Sequence, residues 1–362
     1  MEAAISFGYV RRTVIRSAGL LTGRMVVDRH HRTLRSLRLS VTDRCNLRCQ
    51  YCMPESKYDW VPQPELLSFE ELSRVVDAFI ASGVRKVRIT GGEPLLRADL
   101  PKLVETLAQK PLDELALTTN GVRLASMAKA LHAAGLRQLT VSIDSLSRAT
   151  FLRIARRDEL AQVLAGISAA KEAGFTKLKL DTVLLRGVND HELGPLLDFA
   201  RSIDAELRFI EYMDVGGATH WSPEQVVSRA QVLTQVAALR GLPVPVAGRG
   251  SAPAERFQLP DGQVFGVVAS TTQPFCGACD RARLSADGQL FTCLYSARGT
   301  DVKAWLRSGV TNEALAEQLE RVWRNRSDRG AEERAGLSLR GPLLDAEGLR
   351  GVPHLEMHRR GG

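Results

Sequence analysis

No run of about 18 apolar residues occurs in the chain, which excludes a membrane-spanning helix. Histidine is scarce: the seven present form no catalytic or ligand arrangement, and His354 and His358, four apart near the end, receive no role. Cysteine is limited to six. Nothing reads as a secretory signal, and a chain with a large core does not need disulfide staples. Acidic residues are nearly absent from the first 38 residues, where Glu2 and Asp28 face eight arginines. That end carries +6 of the net +8, so everything after it supplies only +2. A basic balance points to an anionic partner such as nucleic acid or phosphate, but here the excess belongs mostly to one end.

What is present is ordinary globular composition: 362 residues, 44% hydrophobic and 25% charged. That length suits a few domains, or one large barrel with an appendage. Arg11, Arg12, Arg16 and Arg24 with Glu2 read as a basic tail or an extended bacterial start rather than a targeting segment. The expected location is a bacterial cytoplasm; a mitochondrial address applies only if that extension is a transit peptide.

Six β-like runs, 36–41, 86–90, 114–118, 138–143, 177–184 and 206–210, alternate with helical patterns. In 68–82, Ser68 and Glu71 form a capping box, Leu72, Val75, Val76, Phe79 and Ile80 recur at helical spacing, and Gly83 stops the helix. Further helices are expected over 100–109, 124–134, 160–173 and 191–202. Alternation with short links predicts a parallel sheet with right-handed crossovers, closed or nearly closed into a barrel. Pro243, Pro245, Gly248, Gly250 and Pro253 then break the pattern. Short strands follow at 255–259 and 264–268, and residues 326–362 read as loop or tail.

The cysteines fall into two groups of three. Cys45, Cys49 and Cys52 have C-x3-C-x2-C spacing directly after the first strand. Three thiolates on one short loop grip three irons of a cubane cluster and leave the fourth iron open to a chelating small molecule. A structural zinc site would want a fourth ligand, and no histidine lies in this loop. With Tyr51 before the third cysteine, the loop resembles the radical S-adenosylmethionine superfamily. Thr90-Gly91-Gly92-Glu93-Pro94 resembles that superfamily's contact with the methionine amino group, its glycines permitting close backbone approach. The resemblance implies a [4Fe-4S] cluster whose open iron holds S-adenosylmethionine, and cleavage of the sulfonium to a 5′-deoxyadenosyl radical.

Cys276, Cys279 and Cys293 give C-x2-C-x13-C, which alone also fits zinc with a distant histidine. Joined to Arg281-Ala282-Arg283, Thr118-Thr119-Asn120-Gly121, Val141-Ser142-Ile143-Asp144 and the terminal Gly361-Gly362, the pattern from Arg38 to Gly362 resembles the GTP 3′,8-cyclases of molybdenum cofactor biosynthesis. The resemblance implies a second [4Fe-4S] cluster on the second trio, with its open iron facing guanine. It implies GTP contacts from Arg38, Arg88, Thr118, Lys179, Arg281, Ala282 and Arg283, and S-adenosylmethionine contacts from Tyr51, Gly92, Ser142 and Met213. Arg281, Arg283, Gly361 and Gly362 become the catalytic set, with the tail reaching back into the cavity and Arg359 and Arg360 available to phosphate.

The fold implied is α/β: an incomplete (β/α)6 TIM-like barrel over 29–245, preceded by an extension at 1–28. A C-terminal α+β region with the second cluster spans 246–340, and a tail spans 341–362. The reaction implied is abstraction of the ribose 3′ hydrogen of GTP and closure onto C8, giving (8S)-3′,8-cyclo-7,8-dihydroguanosine 5′-triphosphate. Implied partners are a flavodoxin- or ferredoxin-like reductant, the downstream cyclic pyranopterin monophosphate synthase and a homodimeric copy, with no nucleic acid and no membrane. A peptide-modifying radical maturase and a zinc-stapled RNA-binding protein are the alternatives. The first predicts more C-terminal cysteines, the second two zinc ions and salt-sensitive RNA binding.

Overall fold

A computed structural model describes residues 25–361. Arg11, Arg12, Arg16, Arg24 and Gly362 therefore lie outside the described residues. Six parallel strands, β1 (Ser36–Ser40), β2 (Lys86–Thr90), β3 (Glu114–Thr119), β4 (Gln138–Ser142), β5 (Lys177–Leu184) and β6 (Glu206–Glu211), pair in sequence order. Helices α1 (Phe69–Ala81), α2 (Leu100–Ala108), α3 (Leu124–Ala133), α4 (Arg148–Ala155), α5 (Leu160–Glu172) and α6 (Leu193–Ser202) lie between them, and α7 (Arg229–Arg240) follows β6. In α1 the Ser68–Glu71 capping box forms, Leu72, Val75, Val76 and Phe79 are buried, and Gly83 supplies the positive φ after the helix.

The sheet does not close by pairing β1 with β6. Strands β7 (Val244–Val246), β8 (Glu255–Gln258) and β9 (Val264–Val268) continue it beyond β6, through β9. Strands β10 (Arg281–Leu284), β11 (Gln289–Phe291) and β12 (Thr300–Asp301) continue it beyond β1, through a parallel β1–β10 pair. One 12-stranded sheet results.

Helices α8 (Val302–Arg307) and α9 (Asn312–Arg324) follow, and α9 packs against α1. The segment expected as loop or tail instead holds α10 (Gly330–Ala335), α11 (Ala346–Gly351) and α12 (Met357–Arg360). These helices are too short to show an apolar period, which is why the sequence hides them.

Strand alternation decides what the barrel interior contains. In β1, Leu37 and Leu39 join the apolar core, while Ser36 and Arg38 face a central cavity of about 450 Å³. In β2, Val87 and Ile89 go to the core, and Lys86, Arg88 and Thr90 line the cavity. In β5, Lys179, Asp181 and Val183 line it.

Candidate active site

The first cysteine loop is held from two sides. Gly92 N donates to the Thr42 carbonyl (2.8 Å) and Glu93 N to the Arg44 carbonyl (2.7 Å), so the glycine turn lies directly on the loop. A Cβ on Gly91 would sit 2.6 Å from the Thr42 oxygen, and one on Gly92 would strike the Asp43 and Arg44 carbonyls. The tight approach these glycines permit is thus to the cysteine loop itself, not only to a ligand. Glu93 is fully enclosed and accepts from Leu95 N (2.9 Å), Thr119 Oγ1 (2.7 Å) and Asn120 N (2.7 Å). Burial pushes its carboxyl up to about 7. Asn120 in turn donates to Asn46 (2.8 Å) and to the Cys45 thiol (3.8 Å). On the far side, Arg48 N and Gln50 N donate to the Ala155 and Ile154 carbonyls of α4.

All six thiols are unpaired and line the cavity. Burial raises Cys45 to about 11 and pushes Cys49 and Cys52 higher. Their thiolates need a positive partner at neutral pH, as iron provides. Among the described residues no three His, Cys, Asp or Glu side chains converge on a single metal ion. A cluster that takes one thiolate per iron suits such a donor set better than one tetrahedral ion. Tyr51 donates to Asp144 Oδ2 (2.8 Å), and Asp144 accepts from Val183 N (2.9 Å) through its other oxygen. Burial lifts Asp144 to about 6. Ser142 and Met213 line the same cavity.

Three arginines stand abreast on neighbouring strands. Arg38 is the register partner of Arg283 on one side and of Arg88 on the other. Neighbouring strands lie about 4.8 Å apart, and like charges side by side repel. Burial, then Arg283, Arg281 and Arg88, holds the Arg38 guanidinium well below its ordinary range. Arg283 falls to about 10 through burial and the adjacent Arg281. Arg88 is tied to Glu114 (3.2 Å) and to Thr118 and Thr140 (3.2 and 3.0 Å). Burial lowers Lys179, with Arg208 beside it. Arg281 Nε, Asp181 Oδ1 and Thr90 Oγ1 are buried without a hydrogen-bond partner. The concentrated cations and the unsatisfied donors Arg281 Nε and Thr90 Oγ1 ask for a polyanionic ligand, whereas the Asp181 oxygen on β5 is an acceptor and does not.

The second trio sits beside that wall. Burial alone would raise Cys279, but Arg281 and Arg326 bring its thiol down to about 6. Arg281 donates to Cys279 Sγ (3.4 Å) and lies over the Phe275 ring. Ala282 differs from its neighbours: its methyl is buried in the core, as alternation within β10 requires. It presents no side chain to the cavity, so any contribution there is from its backbone.

The tail enters the cavity. Gly361 has φ 68°, and a Cβ there would strike Thr90 Oγ1. Its carbonyl accepts from Arg283 (2.7 Å) and from Arg38 (3.4 Å). Arg360 does not face phosphate. It is wholly buried, donates to the carbonyls of Leu294, Ser296 and His354 (2.6, 2.6 and 2.7 Å) and stacks on Phe291. Arg359 reaches the Asp59 carbonyl instead. Met357 N donates to the Gly216 carbonyl, and Gly217 packs on the Cys52 backbone. The tail therefore touches the supports of both cysteine groups.

Several polar residues around the site make contacts that the sequence does not show. Asp214 is fully buried and binds Arg334, Arg340 and the Tyr295 hydroxyl. Glu211 accepts from Thr271 N, Thr272 N, Thr272 Oγ1 and Arg229 N, and so fixes the chain leaving β9. His358 is buried in the cavity wall with neither ring nitrogen hydrogen-bonded, and Glu356 lies 3.5 Å from its Nε2. Glu211 belongs to the Phe209-Ile210-Glu211-Tyr212-Met213 stretch that the sequence sets at the carboxyl end of β6, whereas Asp214 has no signal beyond following it.

Two family models divide the chain between them: the Radical SAM superfamily over residues 39–200 and Molybdenum Cofactor Synthesis C over 205–332. SuiB of Streptococcus suis, solved bound to S-adenosylmethionine, shares the fold (TM-score 0.57, 15% identity, 85% of this chain and 69% of that chain). The protein is a radical SAM enzyme with a molybdenum-cofactor-type C-terminal region. GTP 3′,8-cyclase 1 of Mycobacterium tuberculosis (strain ATCC 25618 / H37Rv) is 51% identical over 93% of this chain and 95% of its own length. The GTP 3′,8-cyclase of Acidothermus cellulolyticus (strain ATCC 43068 / DSM 8971 / 11B) is 49% identical over 88% of this chain and 89% of its own. The chain belongs to the GTP 3′,8-cyclase family.

Proposed function

We propose that this chain converts GTP to (8S)-3′,8-cyclo-7,8-dihydroguanosine 5′-triphosphate by removal of the ribose 3′ hydrogen, the first step of molybdenum cofactor biosynthesis. The observation that carries the substrate is the row Arg283–Arg38–Arg88 facing the cavity beside both cysteine trios. Cys45, Cys49 and Cys52 would hold one [4Fe-4S] cluster, and Cys276, Cys279 and Cys293 a second. When bound, the first cluster supplies the electron that opens S-adenosylmethionine to its 5′-deoxyadenosyl radical.

The protein's own residues bind, orient and shield. The arginine row with Arg281 and Lys179 neutralises the triphosphate, and bidentate guanidinium contacts fix its orientation. Thr118 adds a hydroxyl and Ala282 only backbone. Ser142, Met213 and Gly92 line the S-adenosylmethionine side, where the Asp144 bond orients Tyr51. Gly361 closes the cavity over Arg38 and Arg283 and keeps water from the reacting carbons. A flavodoxin- or ferredoxin-like reductant, the cyclic pyranopterin monophosphate synthase as consumer of the product, a homodimer and a bacterial cytoplasmic location complete the proposal.

Anaerobic reconstitution with iron and sulfide is expected to load roughly eight irons per chain. GTP, S-adenosylmethionine and dithionite should then yield 5′-deoxyadenosine and cyclised GTP in equal amounts. A loaded protein that forms neither product sinks the proposal.

A further inference from the structure

Helix α4 is a one-helix-thick wall between solvent and the first cysteine loop. Phe151 and Ala155 on its inner face line the cavity. Its last carbonyls, those of Ile154 and Ala155, accept from Gln50 N (3.0 Å) and Arg48 N (2.9 Å), the residues flanking Cys49. Arg156 closes the helix in a left-handed conformation, φ 54°, and places its guanidinium on the Pro54 carbonyl just past Cys52. The outer face is different in character. Leu152 is 45% exposed, and Arg153, Arg156 and Arg157 around it are exposed. Asp158, next to Arg157 in sequence, is occupied by Arg148 (2.9 Å).

Elsewhere around the same loop, burial raises the Glu356 carboxyl to about 7, with Asp43, Asp59 and Glu55 adding to it and Arg359 opposing. The solvent face of α4 is thus basic with an apolar centre. A helix is on the order of 10 Å across, so a molecule seated on the outer face of α4 stands about that far from the thiols. Electron transfer falls off steeply with distance and needs such proximity.

We propose that the outer face of α4, centred on Leu152, Arg153 and Arg157, is the docking surface for an acidic, low-potential one-electron carrier protein of the flavodoxin class. This rests on the cyclase reading above, which requires reduction of the cluster held by Cys45, Cys49 and Cys52. One electron leaves the carrier's reduced flavin, which is oxidised by one, and enters the cluster, which is reduced by one. No atom is transferred. A charged rim around an apolar centre steers encounter and leaves a short-lived complex, as a carrier that must leave again requires.

The test compares the reconstituted enzyme with Arg153→Glu/Arg157→Glu and Arg153→Lys/Arg157→Lys. The probe is a flavodoxin of net negative charge. Charge reversal is expected to weaken flavodoxin binding, read by calorimetry at low salt, by about tenfold or more and to flatten its salt dependence. Turnover with reduced flavodoxin should fall in parallel, turnover with dithionite should stay at the wild-type level, and the lysine pair should keep most of the binding. Unchanged flavodoxin affinity, or equal loss of turnover with both reductants, overturns the proposal. Wild-type enzyme that is inactive even with dithionite would instead strike at the cyclase reading.

Discussion

Arg283 carries two tasks at once: it holds the Gly361 carbonyl and forms one end of the arginine row. Replacing it with alanine removes a charge-assisted hydrogen bond worth about 1.5–3 kcal/mol. GTP binding, measured calorimetrically on the reconstituted enzyme, should weaken roughly tenfold to a hundredfold, with S-adenosylmethionine binding unchanged. The tail offers a pH signature. Burial, with Arg359 and Arg48 adding, pushes the His358 imidazole from 6.5 down to about 3. Its contribution to tail docking is present above 6.5 and drains away as pH falls toward 3, by at most about 1.4 kcal/mol per pH unit. Glu356, 3.5 Å away, moves the other way. Burial raises its carboxyl from 4.5 to about 7, so its contribution is present below 4.5 and lost as pH rises through 7. Between 4.5 and 6.5 the two slopes oppose. Hydrogen exchange of residues 355–361, corrected for intrinsic rate, should lose protection on acidification in Glu356→Gln and gain it in His358→Phe. Flat profiles in both variants would refute the opposed pair.

At the scale of elements, α10 and the segment that follows it are tied to a single buried carboxylate. Asp214 has no exposed side-chain surface and receives both Arg334 and Arg340. Asp214→Asn leaves two largely buried guanidiniums unmatched, at a cost of about 3–5 kcal/mol. The expected result is a lower Tm and new proteolytic cleavage within residues 330–341. Helix α4 and helix α7 escape sequence reading for separate reasons. The first is short and arginine-rich, and the second buries only Val232 and Val236 despite its Ser228–Gln231 capping box. The strands β1 to β6 were plain because apolar and polar residues alternate in them, and Gly83, Gly135 and Gly174 after the helices mark the starts of β2, β4 and β5. The same alternation in Arg281-Ala282-Arg283 already sends Ala282 away from its neighbours. Arg360 and Asp214 were not legible, because each meets partners 64–66 and 81–126 residues away that only the fold assembles.

At the scale of the whole molecule, the six parallel strands form only the middle of the sheet. The outer backbone of β1 is taken by β10 and that of β6 by β9, both supplied from beyond residue 245. A fragment of residues 25–245 should therefore be insoluble or oligomeric on gel filtration, whereas the full chain should not; a soluble, monomeric fragment would refute this. The reason is that each border of a sheet presents a row of unpaired amides and carbonyls, a template on which other chains add as extra strands. By supplying both borders, the C-terminal region guards the barrel half against self-aggregation, a service independent of any iron or nucleotide it binds.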